Sequence, residues 1–131
     1  MTVIETLLVD DNPEFIEAAR RFLSADSHLK IISTALSAQE AIDLVEKKQP
    51  DLVLMDLAMP EMNGLEATRQ IKGLSNPPCV IILTLHDTPE YREASHEVGA
   101  DGFIAKSDFG VELLPLIQGL FEEVESAVPA S

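Results

Sequence analysis

The sequence predicts an α/β protein: five parallel strands in one doubly wound sheet, spatial order 2-1-3-4-5, with a helix after each strand. Three observations predict it. Five short apolar runs, several β-branched and nearly continuous, read as strands buried on both faces. Amphipathic segments with a helical period lie between them. Cap and breaker residues fall where one pattern gives way to the other. Strands that alternate with helices make a parallel sheet covered on both sides.

The first strand is Val3–Val9. Asn12-Pro13 then offers a cap followed by proline at the first helical position. Phe15, Ala18, Ala19, Phe22 and Leu23 recur at spacings that share one helix face. Leu29–Thr34 is the second strand, and Ser37-Ala38-Gln39-Glu40 reads as a capping box opening the next helix. That helix carries Ala38, Ala41, Ile42 and Val45 on its core side. Asp51–Met55 is the third strand. A shorter helix over Gly64–Lys72 is stopped by Gly73 and the Asn76-Pro77-Pro78 breaker. Cys79–Leu83 is the fourth strand; Thr88-Pro89 starts its helix and Gly99 ends it. Gly102–Ala105 is the fifth strand. Leu113, Leu114, Ile117, Leu120, Phe121 and Val124 line the last helix, which begins between Phe109 and Leu113 because Pro115 blurs its start. The arrangement is the flavodoxin-like (βα)5 fold. Residues 1–125 form the domain, and 126–131 (SAVPAS) read as a loose terminus or the start of a linker.

Composition narrows the function. The chain has 131 residues, one domain by length, with 46% hydrophobic and 24% charged residues. Nine Lys and Arg against 23 Asp and Glu give a net charge of −14. Such a domain does not bind nucleic acid or an anionic membrane on its own. Its partners are cations, basic surfaces or groups delivered with a metal. The single cysteine, Cys79, can form no internal disulfide, the N-terminus has no basic leader, and no apolar run nears the roughly 18 residues of a membrane span. A cytoplasmic location is expected.

Ligands of an open α/β sheet bind beyond the carboxyl ends of its strands. After the first strand stand Asp10 and Asp11, after the third Asp56, after the fourth Thr84 and after the fifth Lys106. Three crowded carboxylates repel, which raises pKa values or recruits a cation. A hard divalent ion with oxygen ligands, Mg²⁺ or Mn²⁺, relieves that. Asp11 and Asp56 are the expected direct ligands, Asp10 acts through water, and the backbone carbonyl of Ala58 is a further ligand. Lys106 is then the fixed positive charge, and the Thr84 hydroxyl a donor to a third oxygen. Metal, ammonium and hydroxyl together describe a receptor for a phosphoryl group, leaving an Asp56 oxygen to attack phosphorus.

In this order the residues resemble the receiver domain of two-component response regulators, over roughly residues 4–125. The carrying features are Asp10-Asp11, the segment Asp56-Leu57-Ala58-Met59-Pro60-Glu61-Met62-Asn63-Gly64, Thr84, and Gly99-Ala100-Asp101-Gly102-Phe103 followed by Lys106. The resemblance implies that Asp56 accepts a phosphoryl group from a sensor histidine kinase. It implies Asp10, Asp11 and Asp56 as the Mg²⁺ site, Thr84 as the switch hydroxyl, Lys106 as the phosphate-pairing lysine and Phe103 as the aromatic switch. The surface of the fourth helix, fifth strand and fifth helix would then form a homodimer or contact an output domain. Such a chain is a phosphoacceptor switch rather than an enzyme.

Leu83-Thr84-Leu85-His86-Asp87 with Lys106-Ser107 looks like the receivers of NarL/LuxR-type transcription regulators. Their DNA-binding output domain is not in this chain. Two positions depart from the wider family. Ser107 stands where proline often follows the lysine, and Leu85 where a small residue usually follows the hydroxyl.

Plainer readings accompany each residue. Asp10-Asp11 could simply cap the first helix, and Phe103 could be a core aromatic. A phosphatase of the haloacid dehalogenase type would want a second acid at position 58, where Ala58 stands. A flavin carrier would find its phosphate repelled by Asp10-Asp11. A degenerate receiver that only binds protein would need a missing key residue, and none is missing.

Overall fold

The computed structural model describes residues 3–57 and 63–126, with side chains described as far as Phe121. Its elements follow the alternation of the sequence. They are β1 (Ile4–Val9), α1 (Pro13–Ser24), β2 (Leu29–Ala35), α2 (Ala38–Lys48), β3 (Leu52–Asp56) and α3 (Gly64–Lys72). Then come β4 (Cys79–Thr84), α4 (Pro89–Glu97), β5 (Gly102–Ala105), one 3-10 turn (Lys106–Asp108) and α5 (Phe109–Ser126). The sheet order is β2-β1-β3-β4-β5, all neighbours parallel. The β1–β2 register slips by one residue between Thr6 and Leu7, leaving a bulge in the edge strand β2.

Two cores lie on the two faces of the sheet. Leu7, Val9, Val53, Met55, Val80 and Ile82 face Ala38, Ala41, Ile42 and Val45 of α2 and Ala67 and Ile71 of α3. Leu8, Leu52, Leu54, Ile81, Leu83 and Ile104 face Ala19 and Leu23 of α1 and Leu113 and Ile117 of α5. Alternate strand residues thus go to opposite cores, which is why the strands read as unbroken apolar runs.

The caps work as their residues require. The Asn12 side chain accepts from the Glu14 and Phe15 N–H groups, and Thr88 Oγ1 from the Tyr91 N–H. Ser37 Oγ accepts from the Glu40 N–H at 3.2 Å, while Glu40 reaches back to the Leu36 N–H at 2.9 Å. The reciprocal arm of this capping box therefore lands one residue before the cap. Gly99, at φ +96°, takes the left-handed conformation just beyond α4.

Two local expectations are corrected. On α1 the buried line is Ile16, Ala19 and Leu23, with Phe15 and Phe22 half-buried beside it and Ala18 exposed. The spacing holds but the stripe is turned slightly about the axis, and the two phenylalanines pack at the edge of the core with their rings against Phe109. The second, third and fourth strands each end one residue later than expected, and the first and third begin one residue later, so Asp56 and Thr84 are strand-end residues. The last helix starts at Phe109, as expected at the near end of its range, and exposed Pro115 sits inside it. The carbonyl that Pro115 leaves without a donor belongs to solvent-facing Val111, where water can serve it. The Lys106–Ser107 peptide is trans.

Candidate functional site

The carboxyl ends of β1, β3, β4 and β5 gather the five polar residues read from the sequence. Asp10 follows β1, Asp56 ends β3, Thr84 ends β4 and Lys106 follows β5. Asp10 and Asp56 are buried and Asp11 is exposed at the mouth. One carboxylate oxygen from each of Asp10, Asp11 and Asp56 lies within 4.8 Å of the others. Oxygen donors alone, at that spacing, match a hard divalent cation. The expected Ala58 carbonyl lies outside the described residues, as do the turn residues Met59-Pro60-Glu61-Met62.

Lys106 closes the site from the far edge of the sheet. Its Nζ lies 2.6 Å from Asp10 Oδ2 and 3.4 Å from Asp56 Oδ1. Asp10 Oδ1 in turn accepts from the Asn12 N–H at 2.9 Å. Both oxygens of Asp10 are therefore held by the protein. The ammonium also sits 4.4 Å from the centre of the Phe15 ring. Helical spacing marks Phe15 only as a core residue. Its place three residues after the cap Asn12, just past the acidic pair, is the signal that puts it beneath the lysine.

Asp56 is the most perturbed acid of the site. Burial pushes its carboxyl up from 3.8 to about 6, and the Asp10 charge adds to the rise more than Asp11 does; Lys106 pulls the other way. A divalent cation held by these carboxylates would therefore compete with protons for Asp56 across the neutral range. The Kd for Mg²⁺ is expected to weaken about tenfold between pH 7 and pH 5. A calorimetric titration giving the same Kd at both values would refute that competition.

The Thr84 side chain is buried, and its Oγ1 accepts from the His86 N–H at 2.9 Å. Its hydroxyl proton thus remains available to a further acceptor. Phe103 is half-buried on β5 against the α2–α3 core. Leu85 is 77% exposed and stands in solvent at the rim rather than packed into the site. Gly64 is the first residue of α3. A Cβ there would stand 2.1 Å from the Asp56 carbonyl oxygen, and the Gly64 N–H donates to the Leu57 carbonyl at 2.8 Å. The glycine brings the start of α3 against the backbone that carries Asp56, and Asn63 caps that helix by accepting from the Glu66 N–H.

Removing the lysine charge tests how the acids are held. Lys106→Ala leaves Asp10 and Asp56 facing each other without their ammonium. The apo protein is expected to lose about 3 kcal/mol at pH 7.5, with part restored by Mg²⁺. Urea unfolding with and without the metal checks both; unchanged stability would show that the ion pairs contribute nothing net.

A doubly wound sheet with acids, a hydroxyl and a lysine at its strand ends defines the class: the chain belongs to the response regulator receiver domain family, whose model matches residues 6–118. Over 103 residues it is 33% identical to the transcriptional regulatory protein DegU of Brevibacillus brevis, covering 79% of this chain and 44% of that one. Over 122 residues it is 30% identical to the response regulator MprA of Mycobacterium tuberculosis, covering 93% and 52%. The chain thus spans about half the length of the curated relatives it matches. Among solved structures, a LuxR-family two-component response regulator from Aurantimonas sp. SI85-9A1 superposes with a TM-score of 0.88 at 31% identity, over 93% of this chain and 87% of that one. The chain is a signalling receiver of two-component systems, with transcription regulators among its relatives. Among the described residues no helix is long and apolar enough to cross a membrane.

Proposed function

We propose that this receiver takes a phosphoryl group onto Asp56 from a phosphohistidine of a sensor histidine kinase, with Mg²⁺ or Mn²⁺ at Asp10, Asp11 and Asp56. One observation carries the reading: three carboxylates within 4.8 Å of one another share their pocket with an ammonium that reaches two of them. An anion with several oxygens needs that mixture of cation-binding and cationic groups.

An Asp56 carboxylate oxygen attacks phosphorus. The new O–P bond forms as the bond from phosphorus to the imidazole nitrogen breaks, and the electron pair stays on that nitrogen. The divalent cation, when bound, offsets the charge of the carboxylates and the phosphoryl oxygens. Lys106 needs only to turn from Asp10 toward the incoming oxygens, since it already stands beside Asp56. Thr84 donates its hydroxyl proton to another of those oxygens. Ala58 belongs to the proposed cation site through its carbonyl.

The acyl phosphate adds a charge of about −2 at the sheet edge. Drawing Thr84 toward it leaves room for Phe103 to turn inward, and the surface of α4, β5 and α5 changes. That surface then forms a homodimer or meets an output domain, a DNA-binding one by analogy with the transcription regulators among the relatives. Residues 1–125 are the receiver and 126–131 lead toward such a domain. Incubation with a small phosphodonor and Mg²⁺ tests the site. Label is expected on the wild type and absent from Asp56→Asn; equal labelling of both would overturn the assignment.

A further inference from the structure

We infer that Arg92, gripped by Asp87, is a positioning residue that latches Phe103 in its resting place and resists phosphoryl uptake until it lets go. The inference rests on the phosphoryl-receptor reading of the site. Asp87 lies in the loop between β4 and α4, and Arg92 one turn into α4. Both Asp87 oxygens accept from the guanidinium, Nε at 2.6 Å and a terminal nitrogen at 3.0 Å. The centre of that guanidinium lies 4.7 Å over the Phe103 ring. The fork is thus fixed by the loop on one side and rests on the aromatic with the other.

The loop that holds the guanidinium also holds the switch hydroxyl. His86, next to Asp87, donates its N–H to Thr84 Oγ1 at 2.9 Å. Ile82 pairs with Phe103 and Thr84 with Ala105 across β4 and β5, so Thr84 and Phe103 share one face of the sheet. Five residues therefore run from the hydroxyl to the aromatic: Thr84, His86, Asp87, Arg92 and Phe103. Drawing Thr84 toward the pocket shifts the loop, moves Asp87 and pulls the guanidinium from the ring. With the guanidinium seated, the ring is held against that movement.

The latch is weak by construction. The Arg92 and Asp87 side chains are 50% and 37% exposed, so water screens the pair. Hydrogen bonding from Arg92 keeps the Asp87 carboxyl below the usual carboxylate range. A weak contact biases a two-state equilibrium without locking it. An ion pair with only a surface role would leave the distant anion site indifferent to its removal.

Beryllium trifluoride with Mg²⁺ serves as the probe, titrated into wild type, Arg92→Ala, Arg92→Lys and Asp87→Asn, with ring-labelled phenylalanine followed by NMR. Arg92→Ala is expected to bind the anion about two- to fivefold more tightly. Its Phe103 ring signals should move even in metal-free protein, with thermal stability nearly unchanged. Arg92→Lys keeps the charge but not the fork and falls between; Asp87→Asn shifts affinity the same way. Equal or weaker anion binding by Arg92→Ala, or unmoved Phe103 signals, overturns the latch. If wild type takes up no beryllium trifluoride, the phosphoryl-receptor reading falls, and the ring signals of metal-free protein still decide the latch.

Discussion

Asp56→Asn is expected to abolish phosphoryl labelling and, at neutral pH, to make the apo protein more stable. The first effect follows from the proposed role of Asp56: an amide does not replace a carboxylate as attacking group. The second follows from the carboxyl's environment. Its folded value of about 6 stands above the ordinary 3.8, because burial and Asp10 disfavour the anion. The folded state therefore holds the proton more tightly than the unfolded chain. This group's contribution is fully present below 3.8, falls as pH rises from 3.8 to about 6, and is lost above that. A neutral amide of the same shape escapes the loss. A gain of about 2 kcal/mol is expected at pH 7.5, discounted for water at the open mouth of the site, or a rise of several degrees in Tm. Near pH 4 the two proteins should melt together. Thermal unfolding across pH without added metal measures the difference; a variant less stable than wild type at pH 7.5 would show that the Asp56 charge is welcome there.

Gly64→Ala is expected to be the most damaging single methyl group in the chain's described part. The added Cβ would stand 2.1 Å from the Asp56 carbonyl oxygen and 3.0 Å from the Asp56 carbonyl carbon and Leu57 Cα. All three are backbone atoms, so no rotamer change relieves the overlap. Either α3 retreats from β3 or the end of β3 moves. The first opens the packing of Ala67 and Ile71, both fully buried. The second displaces the carboxylate that carries the proposed chemistry. A loss of about 3 kcal/mol follows, roughly 10 °C in Tm, with slower phosphoryl uptake by the folded fraction. A melting curve within about 2 °C of wild type would mean that the segment yields more easily than its contacts imply.

How far the sequence could be read depended on the physics behind each feature. Buried strands and capped helices announce themselves locally, so Gly102–Ala105 and Gly64–Lys72 appear with the ends read from residues alone. The α1 face was less legible. Helical spacing gives the period of a stripe but not which line points inward: Ile16 is buried and Ala18 exposed, while Phe15 and Phe22 meet Phe109 of α5. Glu40 shows the same limit at a cap: its residue type called for a reciprocal bond, but the bend before Ser37 brought Leu36 to it instead. Arg92 and Asp87 carried no sequence signal beyond two charges five residues apart, since nothing local says that an aromatic from β5 lies beneath them.

The order of apolar runs, caps and breakers was enough to specify a five-stranded parallel sheet and to put each polar candidate after its own strand, because strand and helix periods are local properties and parallel connections have one hand. Distances were beyond it. That Lys106 meets Asp10 across 96 positions of chain, that the same ammonium also reaches Asp56, and that a buried carboxyl is lifted to about 6 were decided only when the sheet assembled. Charge interaction depends on separation and burial, and both are made by packing.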